Sequence, residues 1–323
     1  MRDNFGRTIN YLRLSVTDRC NLRCQYCMPA SGIEQTACSE ILRFEQMLRI
    51  VAAAARLGIR KVRITGGEPL VRKGLIDFLQ KLSALRGIEE IALTTNGILL
   101  ADCAAHLHRA GVRHLNISLD SLHPETFARI TRGGSLQKVL RGIDSASALG
   151  MKIKLNMVAM RGVNDREICD FAALSLDKPW SVRFIEYMPT IREEQWQEHV
   201  VSGADILKRL QRRYHLDPLA TDNLCGPAKP FRIRGAAGTV GIITPMTDHF
   251  CGNCNRIRIT STGKAKSCLM VDDALDLRPL LAEGQDAELL AALRQVIEKK
   301  PEQHRLHDHP ESTTPFSMAT IGG

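Results

Sequence analysis

From about residue 8 to residue 190 the chain alternates short apolar stretches of strand character with longer amphipathic stretches of helical character. The strand stretches are Ile9–Val16, Lys61–Thr65, Ile91–Thr95, His114–Leu119, Met151–Met160 and Val182–Met188. Helices are expected between them near Phe44–Leu57, Gly74–Leu85, Ala101–Ala110, Leu136–Leu149 and Asp165–Ser175. In the first helix Met47, Leu48, Val51, Ala55 and Leu57 fall largely on one stripe, as a core-facing helix requires. Gly58, Gly111 and Gly150 each stand between a helix and the next strand, where a C-terminal cap belongs. Strands separated by helices imply a parallel sheet. Such a sheet meets its ligands at the C-terminal ends of its strands. The unusual short sequences fall there: Asp18–Met28, Gly66-Gly67-Glu68-Pro69, Asn96-Gly97 and Asp120-Ser121.

After Pro189 the pattern changes. Asp205–Tyr214 reads as a basic helix, residues 217–230 as a loop rich in Pro, Asp, Asn and Gly, and Thr239–Thr244 and Arg256–Thr260 as short strands. A helix is expected near Ala287–Lys299, and the tail from Pro301 to Gly323 has the composition of a flexible segment. Two units follow, residues 1–190 and 191–323.

A composition of 44% hydrophobic and 24% charged residues is that of an ordinary globular protein. No apolar run is long enough to cross a bilayer, and the first residues lack the apolar core of a signal peptide. A cytoplasmic protein with no membrane association is expected. The formal charge of +9 favours anionic partners. Dispersed cations and only 5% aromatic residues argue against nucleic acid and for a phosphorylated small molecule.

Ten cysteines without an export signal point to metal ligation rather than disulfides. Cys20, Cys24 and Cys27 form C-x₃-C-x₂-C just past the first strand. Three thiolates on one short loop can hold three corners of an iron–sulfur cube and leave the fourth iron open to a small molecule. Cys251 and Cys254 form C-x₂-C, with Cys268 fourteen residues further on. Three cysteines again suggest an open cube; a His/Cys₃ zinc site using His249 is the alternative that the spacing leaves open. Cys38, Cys103, Cys169 and Cys225 stand alone and are expected to pack as small apolar residues. His304, His307 and His309 lie in a polar tail and read as solvated.

Arg256 and Arg258 share one face of their strand beside the second trio, and a guanidinium pair there suits phosphate. Arg13, Lys61, Arg63, Lys154 and Arg183 lie on other strands of the sheet. Inside a packed barrel such cations need anions, which a polyphosphate would supply.

The first trio, with Tyr26 before its last cysteine, resembles the signature of radical S-adenosylmethionine (radical SAM) enzymes. The similarity narrows to the GTP 3′,8-cyclase family of molybdenum cofactor biosynthesis. It rests on Phe5-Gly6-Arg7, Leu12–Cys27, Thr65–Pro69, Thr94-Thr95-Asn96-Gly97, Ser118-Leu119-Asp120, Arg161-Gly162-Val163-Asn164, Arg183–Pro189, Phe250–Arg258 and the final Gly322-Gly323. The resemblance implies an α/β fold, a partial (β/α) TIM-like barrel of the radical SAM type with a C-terminal extension over its open side. It implies a SAM-binding [4Fe–4S] cluster on Cys20, Cys24 and Cys27, and a second [4Fe–4S] cluster on Cys251, Cys254 and Cys268 against the guanine base. Tyr26, Gly67, Ser118 and Met188 would contact SAM. Arg13, Arg63, Thr94, Lys154, Arg256, Ile257 and Arg258 would contact GTP. Arg183 would assist a late reduction, and Gly322 and Gly323 would reach the active site.

The implied reaction is abstraction of the ribose 3′ hydrogen by a 5′-deoxyadenosyl radical and attack of C3′ on guanine C8. An electron donor is required, and a homodimer is left open. Tyr187 and Ile191 depart from the family pattern without removing a ligand. Two rivals remain: a peptide-modifying radical SAM maturase, and a non-catalytic iron–sulfur or zinc protein that binds nucleic acid.

Overall fold

The computed structural model describes residues 1–188, 196–220, 226–271, 273–303 and 318–321. Six parallel strands pair in chain order: β1 (Tyr11–Ser15), β2 (Lys61–Thr65), β3 (Glu90–Thr95), β4 (His114–Ser118), β5 (Lys152–Ala159) and β6 (Ser181–Glu186). The connecting helices are α1 (Phe44–Arg56), α2 (Leu75–Ser83), α3 (Leu100–Arg109), α4 (Pro124–Thr131), α5 (Leu136–Ala148) and α6 (Ile168–Asp177). Of these only α4 was not expected; it opens on Pro124, which fits the first turn of a helix as well as it fits a loop.

The remainder adds α7 (Gly203–Gln211), β7 (Leu216–Pro218), β8 (Lys229–Ile233), β9 (Thr239–Ile243), β10 (Arg256–Ile259), β11 (Lys264–Lys266), β12 (Ala274–Asp276), α8 (Asp286–Glu298) and α9 (Met318–Ile321). β9 pairs parallel to β6 and β10 pairs parallel to β1, so the later strands extend the same sheet at both edges. Antiparallel β7 and β8 finish one edge, β11 and β12 the other. The ends of the expected loop at 217–230 are therefore strand, and β12 is not paired with β7. The sheet curls without closing, the partial barrel that the family resemblance implied.

Period-two patterning decides which face each side chain takes. Leu12 and Leu14, Val62 and Ile64, Leu115 and Ile117 point outward, fully buried beneath the helices. Each contributes about 1.5–3 kcal/mol. α1 seals this layer with Met47, Ile50, Val51 and Ala54, while Leu48 lies at its margin. Gly58, Gly111 and Gly150 end their helices at φ of 97°, 92° and 70°, as their capping role requires. The alternate positions face the barrel interior, where Arg13, Arg63, Thr94, Asn116, Lys154, Asn156 and Arg183 give a polar lining.

Candidate active site

The interior opens into a cavity of about 290 Å³, and both cysteine trios line it. Cys20, Cys24 and Cys27 sit on the loop beyond the C-terminal end of β1. The Gly66-Gly67 turn zips to that loop: Gly67 N–H donates to the Thr17 carbonyl at 2.8 Å and Glu68 N–H to that of Arg19 at 2.8 Å. A Cβ on Gly67 would lie 2.4 Å from the Arg19 carbonyl oxygen, so only glycine permits the approach. The buried Glu68 carboxylate accepts from Leu70 N–H at 3.1 Å, Thr95 Oγ1 at 2.8 Å and Asn96 N–H at 2.6 Å, locking the ends of β2 and β3 together. Burial pushes Glu68 up to about 7.

Asn96 in turn donates to Asn21 Oδ1 at 2.8 Å, next to Cys20. Tyr26 donates to Asp120 Oδ2 at 2.8 Å, and Asp120 Oδ1 accepts from Val158 N–H at 2.9 Å. Burial raises Asp120 to about 6. Burial also raises the Cys20 and Cys24 thiols, so these sulfurs ionise only against a strong positive charge such as bound iron.

The second trio lies at the other end of the same strand. Cys254 is two residues before β10, where Arg256 is level with Tyr11, and Cys268 is two residues beyond β11, which runs back alongside. The first trio instead follows Ser15, about 13 Å away along β1 at 3.3 Å per residue. The segments that follow β1 to β4 thus gather on one rim, as the strand-end pattern suggested, and the second trio approaches the same cavity from the opposite end.

Several groups to which the sequence assigned no role hold the second trio. Arg7 Nη1 donates to the Cys251 carbonyl at 2.8 Å, its Nε to Asp3 Oδ2 at 2.6 Å, and its Nη2 to the Pro301 carbonyl at 2.7 Å. Lys300 Nζ donates to the carbonyls of Ser267 at 2.8 Å and Arg256 at 3.1 Å. Glu186 accepts from Gly203, Met246 and Thr247 N–H and from the Thr247 hydroxyl, anchoring the loop that leads to Cys251. Burial opposes ionisation of Cys254, yet Arg256 and Lys300 outweigh it and bring the thiol to about 6. Among the described residues no three His, Cys, Asp or Glu side chains converge on one ion position. His249 faces the Pro245 carbonyl at 3.2 Å rather than joining a tetrahedral zinc set. Cysteine sulfur is the donor that iron–sulfur clusters take, and all six cysteines of the two trios line the cavity.

Between the trios Arg13 is level with Arg63 on one side and Arg258 on the other. Burial, then Arg258 and Arg63, push the Arg13 guanidinium well below its usual range. Burial and Arg256 bring Arg258 to about 10. Lys154, on the inner face of β5 level with Asn116 but outside the cavity's lining, falls to about 7 through burial and then Arg183, Lys61 and Arg63. The wall is overloaded with positive charge. Buried polar atoms are also left without hydrogen-bond partners among the described residues: Arg13 Nε, Thr94 Oγ1, Asn156 Oδ1 and Arg258 Nη1. Each costs about 1–3 kcal/mol, which an anion rich in acceptor oxygens would relieve at the three donors.

Gly67, Ser118, Met188 and Arg183 line the cavity, whereas Lys154 does not. Ile257 is a correction: its side chain is fully buried in the hydrophobic layer on the opposite face, because it alternates with Arg256 and Arg258. Cys38 is another, exposed with Arg19 Nη2 at 3.1 Å from its sulfur rather than packed; Cys103 and Cys169 are half-buried against the core. Tyr187 packs with Ile130 and Met160 in a small apolar cluster that also supports Tyr26. Met318, deep in the tail, lines the cavity. Ile191, Cys225, His304, His307, His309, Gly322 and Gly323 lie outside the described residues.

A family model for the radical SAM superfamily matches residues 14–174, and one for molybdenum cofactor synthesis C matches residues 180–306. A GTP 3′,8-cyclase of Geobacter sulfurreducens is 56% identical over 322 residues, covering 99% of each chain. The chain belongs to the GTP 3′,8-cyclase family. A second member, from Alkaliphilus oremlandii, is 46% identical over 325 residues and covers all of both chains. Among solved structures, Streptococcus suis SuiB bound to S-adenosylmethionine superposes with a TM-score of 0.59 at 18% identity, over 93% of this chain and 76% of that one. The anSMEcpe structure with bound AdoMet gives 0.56 at 18% identity, over 86% and 82%. These two share the fold. No described helix is long and apolar enough to cross a membrane.

Proposed function

We propose that this GTP 3′,8-cyclase family member is a lyase that converts GTP to (8S)-3′,8-cyclo-7,8-dihydroguanosine 5′-triphosphate, an early step of molybdenum cofactor biosynthesis. The observation that carries the reading is the placement of two cysteine trios at opposite ends of β1, facing one cavity, with a guanidinium row between them. Cys20, Cys24 and Cys27 would hold a [4Fe–4S] cluster that takes SAM; Cys251, Cys254 and Cys268 would hold a second beside the guanine. When bound, the SAM site supplies the 5′-deoxyadenosyl radical that removes the 3′ hydrogen so that C3′ can bond to C8.

The chain's own residues position and neutralise. Tyr26 is pinned by Asp120, and Gly67, Ser118 and Met188 shape the SAM side of the cavity. Arg13, Arg63, Thr94 and Arg258 present donors to the triphosphate, already buried and oriented, so little reorganisation accompanies binding. Arg256, fixed over the Phe250 ring at 5.0 Å and within 3.6 Å of Cys254 Sγ, adjusts the charge beside the second trio. Ile257 contributes through its backbone alone, and Lys154 through its field. Arg183, on the cavity wall level with Asn156, is positioned to hydrogen-bond the cyclised base during the closing reduction.

An external electron donor and a cytoplasmic setting complete the proposal. Residues 1–190 serve the SAM half and 191–323 the substrate half. Anaerobic iron and sulfide analysis followed by incubation with SAM, dithionite and GTP tests it. Loss of GTP in step with 5′-deoxyadenosine formation is expected; 5′-deoxyadenosine formed without GTP loss would favour the peptide-modifying alternative.

A further inference from the structure

Tyr11 has no part in the reading above, yet it stands at the floor of the cation row. It is 1% exposed and its side chain lines the cavity. Lys61 Nζ lies 5.1 Å and Arg63 Cζ 5.4 Å from its ring centroid, and Arg256 is its neighbour in register on β10. The hydroxyl finds no hydrogen-bond partner among the described residues. A buried phenol without a partner is unfavourable, so this atom points to a ligand. Its surroundings say which kind: the charges that act on it, Arg63, Arg13, Lys61 and Arg256, are all cations, which draw in an anionic acceptor and repel a further donor.

We infer that the Tyr11 hydroxyl is an additional substrate-binding group, donating a hydrogen bond to a phosphate oxygen of the nucleotide. The inference rests on the proposed placement of the triphosphate along Arg13, Arg63 and Arg258. A neutral donor suits the position better than another cation would. Arg13 already has its guanidinium depressed by burial and by the neighbouring arginines. The Tyr11 ring face offers its negative quadrupole to Lys61 and Arg63, which eases their mutual repulsion. Burial opposes ionisation of the phenol, but Arg63, Arg13, Lys61 and Arg256 prevail and lower its pKa. An acidified hydroxyl is a stronger donor to an anion.

Tyr11→Phe keeps the ring and removes only the hydroxyl. Binding of GTP to the reconstituted protein, measured by calorimetry together with competition by inorganic tripolyphosphate, reads the effect. Both ligands are expected to bind about tenfold more weakly. The cluster spectra should be unchanged, and the ligand-free variant should be at least as stable as the parent, since the lost hydroxyl had no partner. Unchanged GTP affinity would overturn the inference. Weaker GTP binding with unchanged tripolyphosphate would do the same, by moving the hydroxyl to the nucleoside. Destabilisation of the ligand-free variant would also overturn it, by showing that the hydroxyl is already bonded. Arg13→Ala and Arg258→Ala run in parallel: if they too leave tripolyphosphate binding unchanged, the phosphate placement itself fails, and if only Tyr11→Phe does so, the inference alone fails.

Discussion

Glu186→Gln isolates the group that carries the second cysteine loop. Glu186 is fully buried at the end of β6. Its Oε1 accepts from Gly203 N–H at 2.6 Å and from the Thr247 hydroxyl; its Oε2 accepts from Met246 N–H at 3.0 Å and Thr247 N–H at 3.1 Å. Glutamine keeps the shape but turns one oxygen into a donor. With the NH₂ at the Oε2 position two backbone donors, Met246 and Thr247 N–H, face it. At the Oε1 position the Thr247 hydroxyl can turn to accept and only Gly203 N–H is stranded, so at least one charge-assisted bond is lost. At about 1.5–3 kcal/mol for each such bond, the variant should lose at least about 1.5–3 kcal/mol, a sizeable part of a typical 5–15 kcal/mol of stability. Because Met246 and Thr247 lead directly into Phe250 and Cys251, the damage should fall first on the second cluster. Anaerobic denaturation should show the loss, and iron content with paramagnetic resonance of each cluster should show the second site depleted more than the first. A variant within about 1 kcal/mol of the parent and holding both clusters in equal measure would refute the reasoning.

Three further outcomes follow from the geometry. Cys24→Ser should cut the iron content of the reconstituted protein by about half and abolish SAM cleavage while leaving the second cluster in place, as read by iron analysis and 5′-deoxyadenosine formation. Gly67→Ala places a methyl 2.4 Å from the Arg19 carbonyl oxygen, a backbone atom that cannot yield without moving the loop to Cys20; SAM binding measured by calorimetry should weaken at least tenfold. For Asp120, burial raises the carboxyl from 3.8 to about 6. The folded chain then keeps a proton that the unfolded chain releases, so the contribution of Asp120 is greatest at low pH and falls as pH rises from about 4 to about 6, by about 3 kcal/mol. Asp120→Asn, which still bonds Tyr26 and Val158, should flatten that slope in denaturant titrations across the range; an identical slope in the variant would remove Asp120 as its source.

What the sequence disclosed follows from the physics of each feature. The six parallel strands were legible because each must bury one face under helices, and that leaves apolar residues such as Leu12 and Leu14 on a period of two. The cysteine trios were legible because ligands on one short loop need close spacing. Ile257 could not be told apart from Arg256 and Arg258, because a motif names consecutive residues while a strand sends their side chains to opposite faces and leaves Ile257 only its backbone to offer. β7, β11 and β12 were not legible, since three residues carry no period. Glu186, Arg7 and Lys300 act through backbone groups far away in sequence, Arg7 reaching Cys251 across 244 positions, and no local pattern encodes such a contact. Tyr11 and Asn156 could have been found, because each lies two residues from a predicted inward cation, Arg13 and Lys154.

The direction of β10 explains why the two trios face each other. Had β10 run antiparallel to β1, Cys254 would have met the C-terminal end of the barrel beside Cys20, and the cations would have lain below both. A parallel β10 reverses this, setting Cys254 level with the start of β1 and leaving Arg258 abreast of Arg13 halfway up. A ligand touching both sites must then run along the strand, past the guanidinium row, over about 13 Å of β1. Length and charge are thereby selected together: a nucleoside alone cannot satisfy Arg13, Arg63 and Arg258, and a phosphate chain alone cannot reach both ends. The crossing from β9 to β10 that makes this arrangement passes through the Glu186 anchor, so the same buried carboxylate that fixes the second loop also sets the span the substrate must bridge.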